Sequence, residues 1–392
     1  MSGTKNVPVI DRHNLIPPYP TYKFFAADNA GTRLKVDDAA HGFNRKVEGA
    51  ANLFDRESKE FKMVNAWWLA DISTLVYDDP RRVEGQLIGR AGAEPIESAG
   101  FTHVEFIDSP LEGQLGQIDT QCFVASNDDL AVVAFRGSET GLRPEGERGP
   151  EESGPEELRR PRDFNHIIND WFVTNAHFRL VPFDTNDPGK GCVHGGFKAA
   201  VGDVLEEKLV PHLRELDDGR RTFWFTGHSL GAALAVLAVA QCDARLPDFD
   251  MHGLYTYGNP RVGDRDFVNF FDGVLARHNM GYFRFVNNGD IVTTVPPEVP
   301  PGLLPKALPG GCGFGFRHTG TLKFINDRGQ ISDGAGHLER LRDLERAAIR
   351  HARDVFGGHA PPSALLIPEP LKDHVPTLYA THIWNAHVAE AV

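Results

Sequence analysis

A serine between two glycines, in the motif GHSLG at residues 227–231, is the first feature of the chain that suggests chemistry. The residues before it, 222–226, are aromatic or β-branched and typical of a strand, whereas residues 230–241 are mostly apolar and typical of a buried helix. A sharp turn between a strand and a helix strains the serine backbone and projects its hydroxyl, and the flanking glycines allow strand and helix to approach closely. The helix N-terminus also favours developing negative charge. We therefore interpret Ser229 as a nucleophile rather than a passive turn residue.

A serine hydroxyl is a useful nucleophile only when a histidine accepts its proton and an acid orients that histidine. In strand-turn-helix sites of this kind, the partners follow in the order serine, acid, histidine. Asp290 comes just after the predicted strand at residues 282–288, so its carboxylate is expected at the C-terminal edge of the sheet. Asp264 is the competing carboxylate, but it begins a predicted helix and fits an N-cap better. The sequence therefore favours Asp290 as the acid.

The choice of histidine is wider, because the chain after Asp290 contains His318, His337, His351, His359, His374, His382 and His387. Residues 315–325 are predicted as a strand that includes His318, and residues 337–356 as an amphipathic helix that includes two further histidines. A general base needs a loop that reaches over the serine. His374, in the segment KDHVPTLYATHIW, meets that need ahead of His382, and we predict it as the base.

The reaction also needs hydrogen-bond donors for an oxyanion. One is the backbone N–H after the nucleophile, at Leu230, and the second usually follows an earlier strand. The segment AVVAFRGS ends such a predicted strand, and we predict Ser138 as the second oxyanion residue. The segment VHGGF at residues 193–197 is a competing source, but it begins a predicted helix, which favours a packing role for His194.

The elements that must position these residues alternate along the chain. Strands are predicted at 129–138, 222–226, 253–259 and 282–288, and helices at 65–79, 230–241 and 264–277. Alternation of this kind predicts an α/β fold with a mostly parallel central sheet flanked by helices. Residues 1–60 are polar and irregular and are expected to form an N-terminal extension packed on the body, which we place at residues 61–392.

Composition narrows the class of partner. A formal charge of −13 without a dense Lys/Arg run argues against nucleic acid and anionic membranes. No run of about 18 apolar residues is present, so no stable membrane insertion is expected, and the N-terminus is not that of a signal peptide. As the sequence stands we expect a cytoplasmic protein, with secretion as the alternative. The four cysteines lack CxxC spacing and are expected to be buried free thiols.

Taken together, the segments resemble the class 3, or fungal-type, lipase family of the α/β-hydrolase superfamily. The matching pieces, in family order, are VVAFRGS, NDWFVTNAHF, VHGGF, FTGHSLGAALAVLAV, TYGNPRVGD, RFVNNGDIVTTVPP, RHTGTLKFIND and KDHVPTLY. The resemblance implies an α/β-hydrolase fold with Ser229, Asp290 and His374 as the triad and with Ser138 and Leu230 at the oxyanion hole. Tyr379 follows the histidine at a wider spacing than is usual in the family.

The resemblance implies a carboxylic ester hydrolase, a lipase or esterase that forms an acyl-enzyme on small-molecule esters or acylglycerols, without metal or organic cofactor. An acyltransferase or phospholipase A1 with the same triad and a non-catalytic scaffold are the alternatives, and a serine peptidase is a more distant one. Contact with a lipid interface would be transient, and no oligomeric state is predicted.

The family's lid position corresponds to residues 139–169. Residues 139–162 contain seven glutamates and five arginines, which predicts a solvated insertion rather than a lid with one apolar face. The apolar cover is expected instead from Leu303, Leu304 and Leu308 in the proline-rich loop after Asp290.

Overall fold

The computed structural model of the chain describes residues 54–77, 80–87, 101–108, 121–137, 179–246, 248–296, 298, 312, 315–326, 329–334 and 373–390. Most of the predicted extension at 1–60 therefore lies outside the described residues. The same holds for the charged segment at 139–169, the leucines of the proline-rich loop and the predicted helix at 337–356.

Ten strands are present in this part of the chain. They are β1 (His103–Asp108), β2 (Gln121–Ser126), β3 (Leu130–Phe135), β4 (Leu180–Pro182), β5 (Cys192–His194), β6 (Thr222–His228), β7 (Met251–Tyr257), β8 (Gly281–Asn287), β9 (Thr321–Ile325) and β10 (Ile331–Asp333). Eight of them form one sheet in the order β1-β2-β3-β6-β7-β8-β9-β10, and β4 pairs with β5 separately.

The centre of the large sheet is parallel, from β3 through β6, β7 and β8 to β9, and the outer pairs are antiparallel. Within it, Gly227 stands opposite Phe135 and Tyr257 stands opposite both His228 and Phe285. The C-terminal ends of four neighbouring strands therefore lie along one edge. This confirms the predicted mostly parallel sheet and explains how residues far apart in sequence can meet there.

Seven α-helices accompany the strands in the described part of the chain. They are α1 (Met63–Leu75), α2 (Pro80–Leu87), α3 (Gly195–Val204), α4 (Val210–Leu216), α5 (Leu230–Arg245), α6 (Arg265–Arg277) and α7 (Pro376–Glu390). Helices α3, α5 and α6 cover one face of the sheet, in a core that includes Leu234 and Phe271. Helices α1 and α7 cover the other face, where Trp67 and Trp384 pack with Tyr257. Both faces of the parallel strands are thus buried, which agrees with their nearly continuous apolar sequence.

The cysteine prediction is correct for two residues and wrong for the other two. Cys122 and Cys242 are buried free thiols, whereas Cys192 and Cys312 form a disulfide with their Cα atoms 5.6 Å apart. The partners are separated by 120 residues. Their pairing depends on how the chain folds back on itself, so it cannot be predicted from local sequence spacing.

Candidate active site

Ser229 occupies the turn between β6 and α5, with φ 58° and ψ −128°. Positive φ is uncommon for a residue with a side chain and requires support from its surroundings. The Ser229 N–H donates to the carbonyl of Tyr257 at 2.9 Å, and the Ser229 carbonyl accepts from the Ala232 N–H at 3.0 Å. The neighbouring strand and the first helical turn therefore hold the strained serine in place.

The two glycines of the motif are required by close backbone packing. A Cβ at Gly227 would overlap the backbone of Gly231 and lie 2.7 Å from the nitrogen of Ala232. A Cβ at Gly231 would overlap the carbonyl oxygen of Phe135, at the end of β3. Any larger residue would separate β6 from α5, or α5 from β3, so the sharp turn predicted from the sequence depends on both glycines.

A continuous hydrogen-bond chain joins the predicted nucleophile, base and acid. The Nε2 atom of His374 lies 2.8 Å from Ser229 Oγ, and its Nδ1 atom lies 2.7 Å from Asp290 Oδ2. All three side chains are buried, Asp290 completely. In this geometry Nε2 of the imidazole can take the serine proton, while the carboxylate fixes Nδ1 as the N–H donor.

The carboxylate of Asp290 has further donors that hold it. Its Oδ1 accepts from the Val292 N–H at 2.9 Å, within the short 3-10 turn Ile291–Thr294, and its Oδ2 accepts from the Tyr379 hydroxyl at 2.5 Å. Burial and then the charge of Asp290 raise the pKa of Tyr379 well above its usual value. The phenol therefore stays protonated and can only donate to this oxygen.

Asp373 ties the base-bearing segment to the loop that carries the acid. Its Oδ2 accepts from the side-chain amide of Asn288 and from the Gly289 N–H, each at 2.9 Å. Its backbone carbonyl accepts from the side-chain amide of Asn287, also at 2.9 Å. Because Asp373 and His374 are adjacent, these bonds limit how far the imidazole can drift from Asp290.

The competing residues have other roles. Asp264 caps α6, as predicted, since its Oδ1 accepts from the N–H groups of Phe267 and Cys192 at 2.9 and 3.0 Å. His194 caps α3 by accepting from the Phe197 N–H, which fits the predicted packing role.

His318 is not in a strand, because β9 begins only at Thr321. Its Nε2 lies 2.7 Å from the carbonyl of Thr293, and burial, followed by the charges of Arg284 and Arg261, holds its pKa well below the usual value. It is a neutral residue bonded to the backbone. Of the other histidines, His382 and His387 lie on α7, and His337, His351 and His359 are outside the described residues.

Of the two predicted oxyanion residues, only Leu230 lies in the described part of the chain. Leu230 is buried at the start of α5, where first-turn N–H groups have no acceptor within their own helix. Ser138 lies outside the described residues. The chain that leads to it leaves the sheet beside the serine turn, because Phe135, the last residue of β3, stands opposite Gly227.

Sequence reasoning missed two contacts that surround the site. The hydroxyl of Tyr77 lies 3.1 Å from Nδ1 of His228, and Nε2 of His228 lies 2.7 Å from the carbonyl oxygen of His374. His228 is part of the GHSLG motif, so the sequence places it beside the predicted nucleophile. Tyr77 follows α1, 151 residues earlier, and nothing in its local sequence indicates this contact.

Within the described ranges, no group of three or more histidine, cysteine, aspartate and glutamate side chains is arranged to hold a metal ion. The helices seen in these same ranges are too short or too polar to cross a membrane.

Comparison with known proteins shows similarity to lipases over part of the chain. Residues 165–299 match the family model described as lipase (class 3). The chain is 33% identical over 154 residues to a secreted mono- and diacylglycerol lipase of Fusarium solani, covering 39% of each protein. It is 33% identical over 163 residues to a lipase of Rhizomucor miehei, covering 41% of this chain and 39% of the relative. It is also 25% identical over 311 residues to the toxin TseL of Vibrio cholerae, covering 69% of this chain and 46% of the relative.

The chain thus matches less than half the length of these curated relatives. Among solved structures, lipase II from Rhizopus niveus aligns over 72% of this chain and 92% of that one, with 20% identity and a TM-score of 0.46. The family match includes the serine motif and Asp290, and the sheet has the predicted parallel centre. Over residues 165–299 the chain is therefore similar to the class 3 lipase family.

Proposed function

We propose that the protein is a carboxylic ester hydrolase in which Ser229 is the nucleophile, His374 the base and Asp290 the acid. The observation that carries the proposal is the hydrogen-bond chain from Ser229 Oγ through the imidazole of His374 to Asp290 Oδ2, at 2.8 and 2.7 Å. The match of residues 165–299 to the class 3 lipase family model supports the same reaction.

In the proposed reaction, Ser229 Oγ attacks the ester carbonyl while Nε2 of His374 takes its proton. The Leu230 N–H, and Ser138 by the sequence prediction, donate to the oxyanion of the tetrahedral intermediate. The intermediate collapses as the imidazolium returns the proton to the leaving alcohol, which leaves an acyl-enzyme. Water then attacks the acyl carbon, with His374 again as the base, and releases the acid. Asp290 stabilises the imidazolium in both halves and keeps its N–H at Nδ1.

For the substrate we propose acylglycerols and simpler dispersed esters. The names of the fungal relatives, among them a mono- and diacylglycerol lipase, support this class. Acyl transfer to an alcohol and phospholipase A1 activity would use the same residues, so the assay needs arms for each. A screen should cover p-nitrophenyl esters of varied acyl length, mono-, di- and triacylglycerols and phosphatidylcholine, with and without a competing alcohol.

The residue roles are tested by substitution. Ser229→Ala should lower turnover on the order of 10⁶-fold, because the three residues act as a unit. Asp290→Asn should cost roughly 10⁴-fold by favouring the wrong imidazole tautomer. The matched control is Asp264→Asn, which keeps an acceptor oxygen at the α6 N-cap and should leave turnover nearly unchanged. Residual activity of Ser229→Ala above about one per cent, or a larger loss in Asp264→Asn than in Asp290→Asn, would refute the assignment.

We also propose that the protein works in an oxidising compartment, the secreted alternative raised from the sequence. The disulfide between Cys192 and Cys312 supports this, since such bonds rarely persist in the cytosol. Alkylation of free thiols in protein taken directly from its native source tests it. Two cysteines protected from alkylation are expected. Four alkylated cysteines would contradict the proposal and favour the cytoplasmic alternative.

A further inference from the structure

The contacts of Tyr77 and His228 have a defined direction. Because the carbonyl oxygen of His374 can only accept, Nε2 of His228 must carry the proton that joins them at 2.7 Å. Burial, and then the neighbouring His374, hold the pKa of His228 well below its usual value, so the ring is neutral. Its Nδ1 is therefore an acceptor, and the Tyr77 hydroxyl 3.1 Å away donates to it. The protons thus point from Tyr77 through His228 to the backbone of the predicted base.

The same tyrosine also contacts the chain that leads to the predicted oxyanion residue. A Cβ at Gly137 would overlap the Tyr77 hydroxyl and would lie 2.7 Å from the carbonyl oxygen of His228. Tyr77 is therefore packed directly against the glycine that precedes Ser138. Only a glycine at 137 leaves room for the phenol in this position.

We propose that Tyr77 and His228 are positioning residues, which hold the base, the nucleophile turn and the oxyanion segment in fixed positions relative to one another. This inference rests on the proposed ester hydrolysis. His228 is adjacent to Ser229 in the turn, its ring holds the backbone of His374, and its partner Tyr77 lies against Gly137. Three segments that the sheet only brings near one another are thereby fixed together by two side chains that touch no substrate atom in the proposed reaction.

Positioning residues have a kinetic signature. They lower kcat and kcat/KM together, because they act on the geometry of the transition state and leave ground-state binding nearly unchanged. Misplacement of a reacting group by about 1 Å costs about 100-fold. We expect a loss of about tenfold in kcat for Tyr77→Phe and about 100-fold for His228→Leu, with KM within about twofold of the parent. His228→Gln keeps an amide N–H near the position of Nε2 and should recover part of the loss.

The matched control is Tyr255→Phe. It removes a buried phenol oxygen that accepts from the Lys62 N–H at the opposite end of α1, at 3.3 Å. It should lower the melting temperature about as much as Tyr77→Phe and leave kcat within about twofold. Wild-type kcat in folded Tyr77→Phe and His228→Leu, or an equal loss in Tyr255→Phe, would overturn the proposal.

A second measurement separates this inference from the proposed function. The proton shared by His374 Nδ1 and Asp290 should give a downfield NMR resonance that needs no substrate. We expect it to shift or broaden in His228→Leu and to be retained in Tyr255→Phe. If the parent protein hydrolyses no ester, the proposed function fails, and an unmoved resonance in His228→Leu then overturns the positioning role as well.

Discussion

Gly258, directly after β7, allows the acid and the base to meet. Its φ of 62° is in the left-handed region, and its N–H donates to the carbonyl of Phe285 at 3.1 Å. A Cβ at this position would lie 2.8 Å from Cε1 of His374 and 2.9 Å from both Nδ1 of His374 and Oδ2 of Asp290. The added methyl group of Gly258→Ala would therefore press on the hydrogen bond between the two residues.

The size of the effect follows from these distances. Carbon atoms pack comfortably at about 3.5 Å, so the imidazole must retreat by roughly 0.7 Å. Displacement on this scale costs on the order of 10²-fold, and full loss of the orienting carboxylate costs about 10⁴-fold. We expect kcat of Gly258→Ala to fall within that range. The left-handed backbone adds about 1 to 2 kcal/mol of destabilisation by itself.

Gly219 provides the control for backbone strain. Its φ is 72°, and a Cβ there would have no heavy atom within 4 Å. Gly219→Ala should show the same loss of stability without loss of activity. Both variants and the parent are compared by ester turnover and by urea denaturation. Turnover of Gly258→Ala within about threefold of the parent, or an equal loss of turnover in both variants, would show that the steric reasoning is wrong.

Two further predictions concern stability. The disulfide Cys192–Cys312 spans 120 residues, so a Cys192→Ser/Cys312→Ser variant should lose up to about 5 kcal/mol of unfolding free energy in the chain-entropy model; a denaturation midpoint equal to that of the parent would contradict this. Burial lowers the pKa of His387 to about 4, whereas in the unfolded chain the imidazole has its ordinary pKa of about 6.5. The stability that its neutral ring contributes is complete above pH 6.5 and is lost as the pH falls towards 4. His387→Phe should therefore show a smaller decline in denaturation midpoint between pH 7 and 4 than the parent. Equal declines in the two proteins would refute this prediction.

The part of the site that the sequence predicts is the part set by local pattern. Ser229 follows from a strand, a turn and a helix that are contiguous in the chain, and Asp290 follows from its place just after a parallel strand. The helix cap at Asp264 is local in the same sense. These features depend on few neighbours in space, so residue type and spacing are sufficient.

The remaining features depend on chain segments that meet only in the fold. His374 is selected from several histidines by elimination, and its support from Asp373 and Tyr379 becomes visible only when α7 is in place. The link from Tyr77 to His228 and the pairing of Cys192 with Cys312 join residues 151 and 120 positions apart. No periodicity or spacing encodes such contacts, because they follow from how the elements pack.

The docking of α7 on α1 affects when the site is completed during synthesis. Residues 373–390 carry both His374 and Tyr379, and Trp384 packs against Trp67 of α1 with ring centroids 4.5 Å apart. The serine, the acid and all the strands described here are translated before this segment. A nascent chain folded as far as β10 therefore holds Ser229 and Asp290 without their histidine. If the proposed function is correct, the ribosome-bound intermediate is inert toward esters, and activity begins only when α7 closes onto an early helix of the same chain.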